Sequence, residues 1–283
     1  MFSRSIKRSS ALSRGLKPPT GNLAVMVRLI ATDITGCEVS AKSRDSLLAI
    51  DDNIMRIITL NDKNHDYGAL SSAKTNDPDC GMLHILTVID CLRTPRSTDS
   101  VEQIEQACSL LNSLWAEDLL SSREKLYYSY LQHWVSGNYF KAAVSLESVS
   151  LLHPHDTLAM KLAQDCHIAS GNNHGALTCV TRYMPLIGQN HAVGRNLLSV
   201  LTHGFVEGQL LSDAEETAER VIEMTSSHDL TAISGYLNML LLNCRATDAS
   251  AVIDVRLKTA VNCLSFCLCA FVVGPETVYL LVL

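Results

Sequence analysis

Residues 133–156 read HWVSGNYFKAAVSLESVSLLHPHD. Counting from Gly137, an aromatic follows at +2 (Tyr139), alanine at +5 (Ala142), apolar residues at +9 (Leu146), +12 (Val149) and +15 (Leu152), and proline at +17 (Pro154). Each choice has a physical use. Glycine permits a tight turn between two helices, alanine lets their backbones approach closely, and proline stops the second helix.

The pattern recurs. Gly171 lies 34 residues after Gly137, again with alanine at +5 (Ala176) and then Leu177. A looser copy places Ala214 six residues after Gly208, which implies a turn longer by one residue. Upstream, VEQIEQACSLLNSLW at 101–115 puts Ala107 35 residues before Ala142. Period and pattern resemble the tetratricopeptide repeat, a helix–turn–helix unit of 34 residues.

The flanking sequence agrees. In SRDSLLAIDDNIMRIITL, residues 43–60, apolar residues at 47, 48, 50, 54, 57, 58 and 60 follow the three-to-four spacing of a helix with one buried stripe. Short breaks rich in Gly, Pro, Asn, Asp and Ser separate runs of helix length, and no stretch alternates with period two for long. Ser121–Glu124 and Ser212–Glu215 have the spacing of capping boxes. The sequence therefore predicts an all-α fold, a tetratricopeptide-like α-solenoid of antiparallel helix pairs over residues 41–245. It would be preceded by a basic, disordered segment at 1–40 and followed by an apolar tail at 246–283.

Three stretches narrow the resemblance: SSREKLYYSYLQHWVSGNYFKAAVSLESVSLLHPHDTLAMKLAQDCHIASG at 121–171, ALSSAKTNDPDCGMLHIL at 69–86, and SLLAIDDNIMRII at 46–58. In that order they resemble the tetratricopeptide repeat protein 38 family, over roughly residues 36–230. The resemblance implies a helical repeat array and carries no biochemical role with it. In that family the next helix holds a tryptophan followed by a histidine-rich AHxxE-like segment, and more repeats follow. Here the chain reads TAISGYLNMLLLNCRATDASAVIDVRLKTAVNCLSFCLCAFVVGPETVYLLVL instead. Three readings of this tail stand: a membrane anchor, an apolar helix packed on the last repeat, or the end of a truncated or mis-spliced form. The 14 apolar residues of AVNCLSFCLCAFVV fall short of a bilayer span, and Gly274-Pro275-Glu276-Thr277 interrupts the stretch.

Composition excludes several classes. With 23 Lys+Arg against 29 Asp+Glu, the net charge of −6 supplies no basic field for nucleic acid. The ten cysteines contain no CxxC pair and read as reduced, small hydrophobes of an intracellular protein. A cytoplasmic location follows, with a mitochondrial one as alternative, because the first 32 residues hold six Lys or Arg, repeated Ser and no acid.

Catalytic signatures such as GxSxG, HExxH, GxxxxGK[ST] and GxGxxG are absent. Cys80 and His84 have i,i+4 spacing that could make them ligands, but without a second pair they read as a buried thiol beside a half-exposed ring. Cys166 and His167 point to different sides of a helix, and His153 and His155 read as solvated turn residues. Tyr127, Tyr130 and Trp134 share a core-facing side, while Tyr128 turns away toward the concave surface. Lys125 with Ser129 does not reproduce the lysine–asparagine pair with which some tetratricopeptide modules clamp a carboxylate.

The resulting expectation is a non-catalytic interaction scaffold without catalytic residues, metal or cofactor, holding a protein or peptide in its concave groove. The alternative is a truncated form of a larger array whose small-molecule or enzymatic site lies in C-terminal repeats missing here.

Overall fold

The computed structural model describes residues 31–60, 67–93, 99–186, 191–224, 229–253, 269–274 and 277–282. Among them are twelve α-helices: α1 Arg44–Thr59, α2 Tyr67–Asn76, α3 Gly81–Arg93, α4 Asp99–Ala116, α5 Ser122–Val135, α6 Tyr139–Leu152, α7 Thr157–Ala169, α8 Asn173–Thr181, α9 His191–Glu207, α10 Leu211–Met224, α11 Leu230–Leu242 and α12 Ala246–Val252. From α3 onward they pack as consecutive pairs: α3 with α4, α5 with α6, α7 with α8, α9 with α10, α11 with α12. The fold is all-α, as the spacing of the apolar residues predicts.

Four of the turns within pairs share one backbone form. Gly137, Gly171, Gln209 and Cys244 are left-handed, with φ of 74°, 71°, 57° and 57°. The next N–H in each case reaches back across the turn: Asn138 to the His133 carbonyl, Asn172 to His167, Leu210 to Phe205 and Arg245 to Leu240, at 2.8–2.9 Å. These bonds satisfy carbonyls that the ending helix leaves without partners. In the first two turns the tripeptide Ser-Gly-Asn supplies every part, because Asn138 and Asn172 then cap the next helix by accepting from Lys141 N–H and Gly175 N–H.

Five residues after each left-handed position stands an alanine, Ala142, Ala176, Ala214 and Ala249, and all four are buried. The third turn thus keeps the spacing of the first two once Gln209 rather than Gly208 is counted as its pivot. The fourth unit was not read from the sequence. It extends the paired helices to Val252, past the boundary at 245, so residues 246–252 form a helix packed on α11 rather than an apolar tail.

Other departures have equally local causes. Residues 31–40 are not disordered: β1 (Ala31–Thr32) pairs antiparallel with β2 (Glu38–Val39), and Asp33, Thr35, Cys37, Val39 and Ser40 are buried. Residues 1–30 of the basic segment lie outside the described residues. Ser212 does not cap a helix, because α10 begins at Leu211 and Ala214 N–H already bonds the Leu210 carbonyl. The Ser121–Glu124 capping box forms as predicted. In the tail, β3 (Cys269–Gly274) and β4 (Thr277–Val282) form an antiparallel hairpin where a packed helix was one expectation. Residues 254–268, with most of the apolar stretch, lie outside the described residues. No helix among the described residues is long and apolar enough to cross a membrane.

The core is continuous from Val39 to Ala249. Helix α1 is its centre: α1 packs against α3, α7 and α11, the first helices of three different pairs. Its stripe Ile50, Ile54, Ile57 and Ile58 is buried throughout.

Candidate functional site

Helix α1 lies across a face formed by the first helices of three pairs, α3, α7 and α11. Four contacts fix α1 there. Arg56 pairs with Asp90 of α3. Thr231 Oγ1 of α11 donates to the Ile58 carbonyl at 2.6 Å, across 173 residues of chain. Asn196 of α9 reaches Met55 Sδ at 3.5 Å. The fourth is the isoleucine stripe, whose burial supplies the largest share of the affinity, each side chain contributing about 1.5–3 kcal/mol. Asn53 Oδ1 of α1 and Asn196 Oδ1 of α9 are buried with no hydrogen-bond partner among the described residues.

The same face carries ionic groups. Asp165 of α7 accepts from Arg93 Nη1 at 2.6 Å and pairs with Lys161. Burial raises its carboxyl, but the two cations outweigh it and hold the group down at about 2. His203 of α9 bonds the Thr231 carbonyl at 2.9 Å and Ser234 Oγ at 3.0 Å. Burial, reinforced by Lys161, pulls its imidazole down to about 4, so the ring is neutral at pH 7.

A second polar assembly locks the N-terminal hairpin to the pairs. Arg123 Nε donates to Asp156 Oδ2 and Arg123 Nη1 to Asp33 Oδ2, both at 2.7 Å. Asp156 Oδ1 also accepts from Tyr127 Oη at 3.0 Å and caps α7 through Ala159 N–H. Asp33 Oδ1 takes Thr35 N–H, Thr35 Oγ1 and Cys37 N–H. Burial disfavours the Arg123 charge, yet Asp156 and Asp33 hold its pKa well above the ordinary value.

The residues singled out from sequence fall as follows. Tyr127, Tyr130 and also Tyr128 are buried; Tyr128 packs on Trp115 at 5.9 Å and does not line a concave surface. Trp134 is half-buried, edge-on to Tyr130 and to Tyr139 at 5.7 and 5.1 Å. His84 is buried rather than half-exposed, its Nε2 bonded to the Pro78 carbonyl at 2.8 Å, while Cys80 precedes α3 and is pushed up to about 12 by burial. Such a thiol is the reverse of an activated one. His167 bonds Glu147 at 2.7 Å, separately from Cys166, whose thiol burial also raises. Lys125 pairs with Asp118, and Ser129 returns its hydroxyl to the Lys125 carbonyl. His155 is exposed, as a turn residue should be, and His153 is half-buried. Cys263 and Cys267 lie outside the described residues.

Sequence reasoning missed Asp156 and Arg123. The signal was present in part, since Asp156 stands before an apolar run in the position of a helix cap. Nothing in sequence marks Asp33, 90 residues before Arg123, as the third member. No family model matches the chain, and no solved structure matches it.

Proposed function

We propose that this chain is a non-catalytic helical-repeat interaction scaffold of tetratricopeptide type, akin to the tetratricopeptide repeat protein 38 family, whose inner face recognises an amphipathic helix. The observation that supports this reading is the seating of α1 across helices of three pairs. A helix laid apolar side down in a groove is a general mode of peptide recognition. Here it is met within one chain, and α1 reports what the face accepts: an isoleucine stripe in the i, i+4, i+7, i+8 pattern with an arginine opposite Asp90. The fourfold turn with its buried alanine supports the repeat architecture. Seven of the ten cysteines, those at 37, 80, 91, 108, 166, 179 and 244, carry free thiols, five of them buried, which fits a reducing, cytoplasmic setting.

The test is complementation in trans. Ile54→Ala in the full chain opens a cavity under α1, and a synthetic peptide of residues 43–60 is added while thermal unfolding is followed. A saturable rise in melting temperature, absent with a scrambled peptide of equal composition, is expected. Should the peptide give no stabilisation beyond the scrambled control, the face is simply core and the reading falls.

A further inference from the structure

A cleft of about 310 Å3 opens between α2, α3 and α4. Ser71, Lys74 and Thr75 of α2, His84 of α3, and Gln103, Gln106, Ala107 and Leu110 of α4 line it. We propose that this cleft binds a small organic anion, a carboxylate or a phosphate ester, on the ammonium group of Lys74, with its carbon skeleton against Ala107 and Leu110.

Charge bookkeeping around the cleft supports the choice of an anion. Among the described residues Lys74 makes no ion pair. Three carboxylates of the neighbouring segments have partners of their own: Asp77 Oδ2 accepts the Lys42 N–H at 2.5 Å, Asp79 pairs with the Lys42 ammonium, and Glu102 accepts from Gln106 Nε2 at 2.9 Å. Glu105 lines an adjoining shallow groove on α4, which shares Gln106 and Leu110 with the cleft, and does not itself line the cleft. Half-burial pulls the Lys74 ammonium below its ordinary pKa, opposed by the Cys91 thiol, so the cation is left partly desolvated. An unpaired, partly desolvated cation is costly unless a counter-charge arrives.

The neutral groups add direction. Gln103 Oε1 accepts from Cys91 Sγ at 3.4 Å, which leaves its amide N–H groups to donate. Thr75 Oγ1 donates to the Ser71 carbonyl at 3.1 Å, so its oxygen can only accept further, whereas the Ser71 hydroxyl is available as a donor. His84 donates from Nε2 to Pro78 and is held neutral by burial, so it brings no second cation. One cation with two neutral donors suits one anionic head group. The cleft volume is at the lower end for ligand sites, which limits the skeleton to a few carbons or one ring. Ala107 and Leu110 give that skeleton an apolar wall, and bare inorganic ions would leave the wall unused.

The full chain is titrated with acetate, butyrate, inorganic phosphate and phenyl phosphate at constant ionic strength, followed by ligand-observed saturation-transfer NMR and by the side-chain resonances of Lys74. Millimolar, saturable binding is expected for butyrate or phenyl phosphate, whichever head group the cleft takes, several-fold tighter than for acetate or inorganic phosphate respectively. Binding raises the Lys74 pKa, because the anion favours the protonated form. Lys74→Gln abolishes the response with an unchanged melting temperature, and Leu110→Ser removes the preference for the longer skeleton while keeping anion binding. Non-saturable responses to all four anions, or equal binding by the K74Q chain, would overturn the proposal.

Discussion

Arg123 Nε sits 2.7 Å from Asp156 Oδ2, joining the second turn residue of one helix to the cap of the next pair, and both side chains are withdrawn from water. With Asp33 on the other side of the guanidinium, a single cation pairs with two buried carboxylates from segments 123 residues apart. Removing the cation alone strands both carboxylates. Arg123→Met should therefore lower the unfolding free energy by about 3–5 kcal/mol, measured by urea denaturation. In a double-mutant cycle with Asp156→Asn, a coupling energy of about 1–3 kcal/mol is expected; additive losses would show that the pair does not act as a unit.

The left-handed turns make opposite predictions for opposite residues. A methyl group added at Gly137 meets nothing within 4 Å, so the cost of Gly137→Ala is purely conformational, about 1 kcal/mol. Gln209 and Cys244 already bear that strain. Gln209→Gly and Cys244→Gly should each raise stability by about 0.5–1 kcal/mol, the relief of strain slightly exceeding glycine's added chain entropy. A loss of stability in both would disprove the shared turn geometry.

Acid should weaken the fold in two steps of distinct origin. His203 has a folded pKa depressed to about 4 from 6.5. The unfolded chain then binds the proton more readily, and stability falls as pH drops from about 6.5 to 4. The ring keeps a partly open edge, so about 1–2 kcal/mol is expected rather than the full effect of the shift. Asp165, depressed from 3.8 to about 2, contributes stability that is present above 3.8 and disappears between there and about 2. His203→Gln should flatten the first window and leave the second, as read from denaturation midpoints across that range. An unchanged first window in H203Q would assign it to another group.

One of the four contacts that seat α1 is the long-range hydrogen bond from Thr231 to the Ile58 carbonyl. Thr231→Val keeps the shape and removes the donor, leaving a buried carbonyl at the end of α1 without its partner. A loss of about 1–2 kcal/mol is expected. Hydrogen exchange should then accelerate for α1 amides before those of α7, while Thr231→Ser retains wild-type exchange. Uniform acceleration would mean that α1 does not open separately.

What the sequence by itself determined was local. Ser-Gly-Asn at 136–138 and 170–172 specifies a helix end, a left-handed turn and the next cap within three residues, and the alanine five positions beyond each pivot follows because the two helices cross there. The period of apolar residues assigns α1 its buried stripe for the same reason: helix periodicity needs no knowledge of the rest of the chain. Where the pivot is Gln209 or Cys244 the signal fades, since neither residue type announces a positive φ; the third unit reads as loose and the fourth goes unread. Only the tertiary structure decided what the stripe of α1 faces, that Asp33 answers Arg123, and that an unpaired Lys74 lines a cleft. A periodic pattern states that a face is buried and is silent about its partner, because contacts such as Thr231 with Ile58 join positions 173 residues apart through packing that no local pattern encodes.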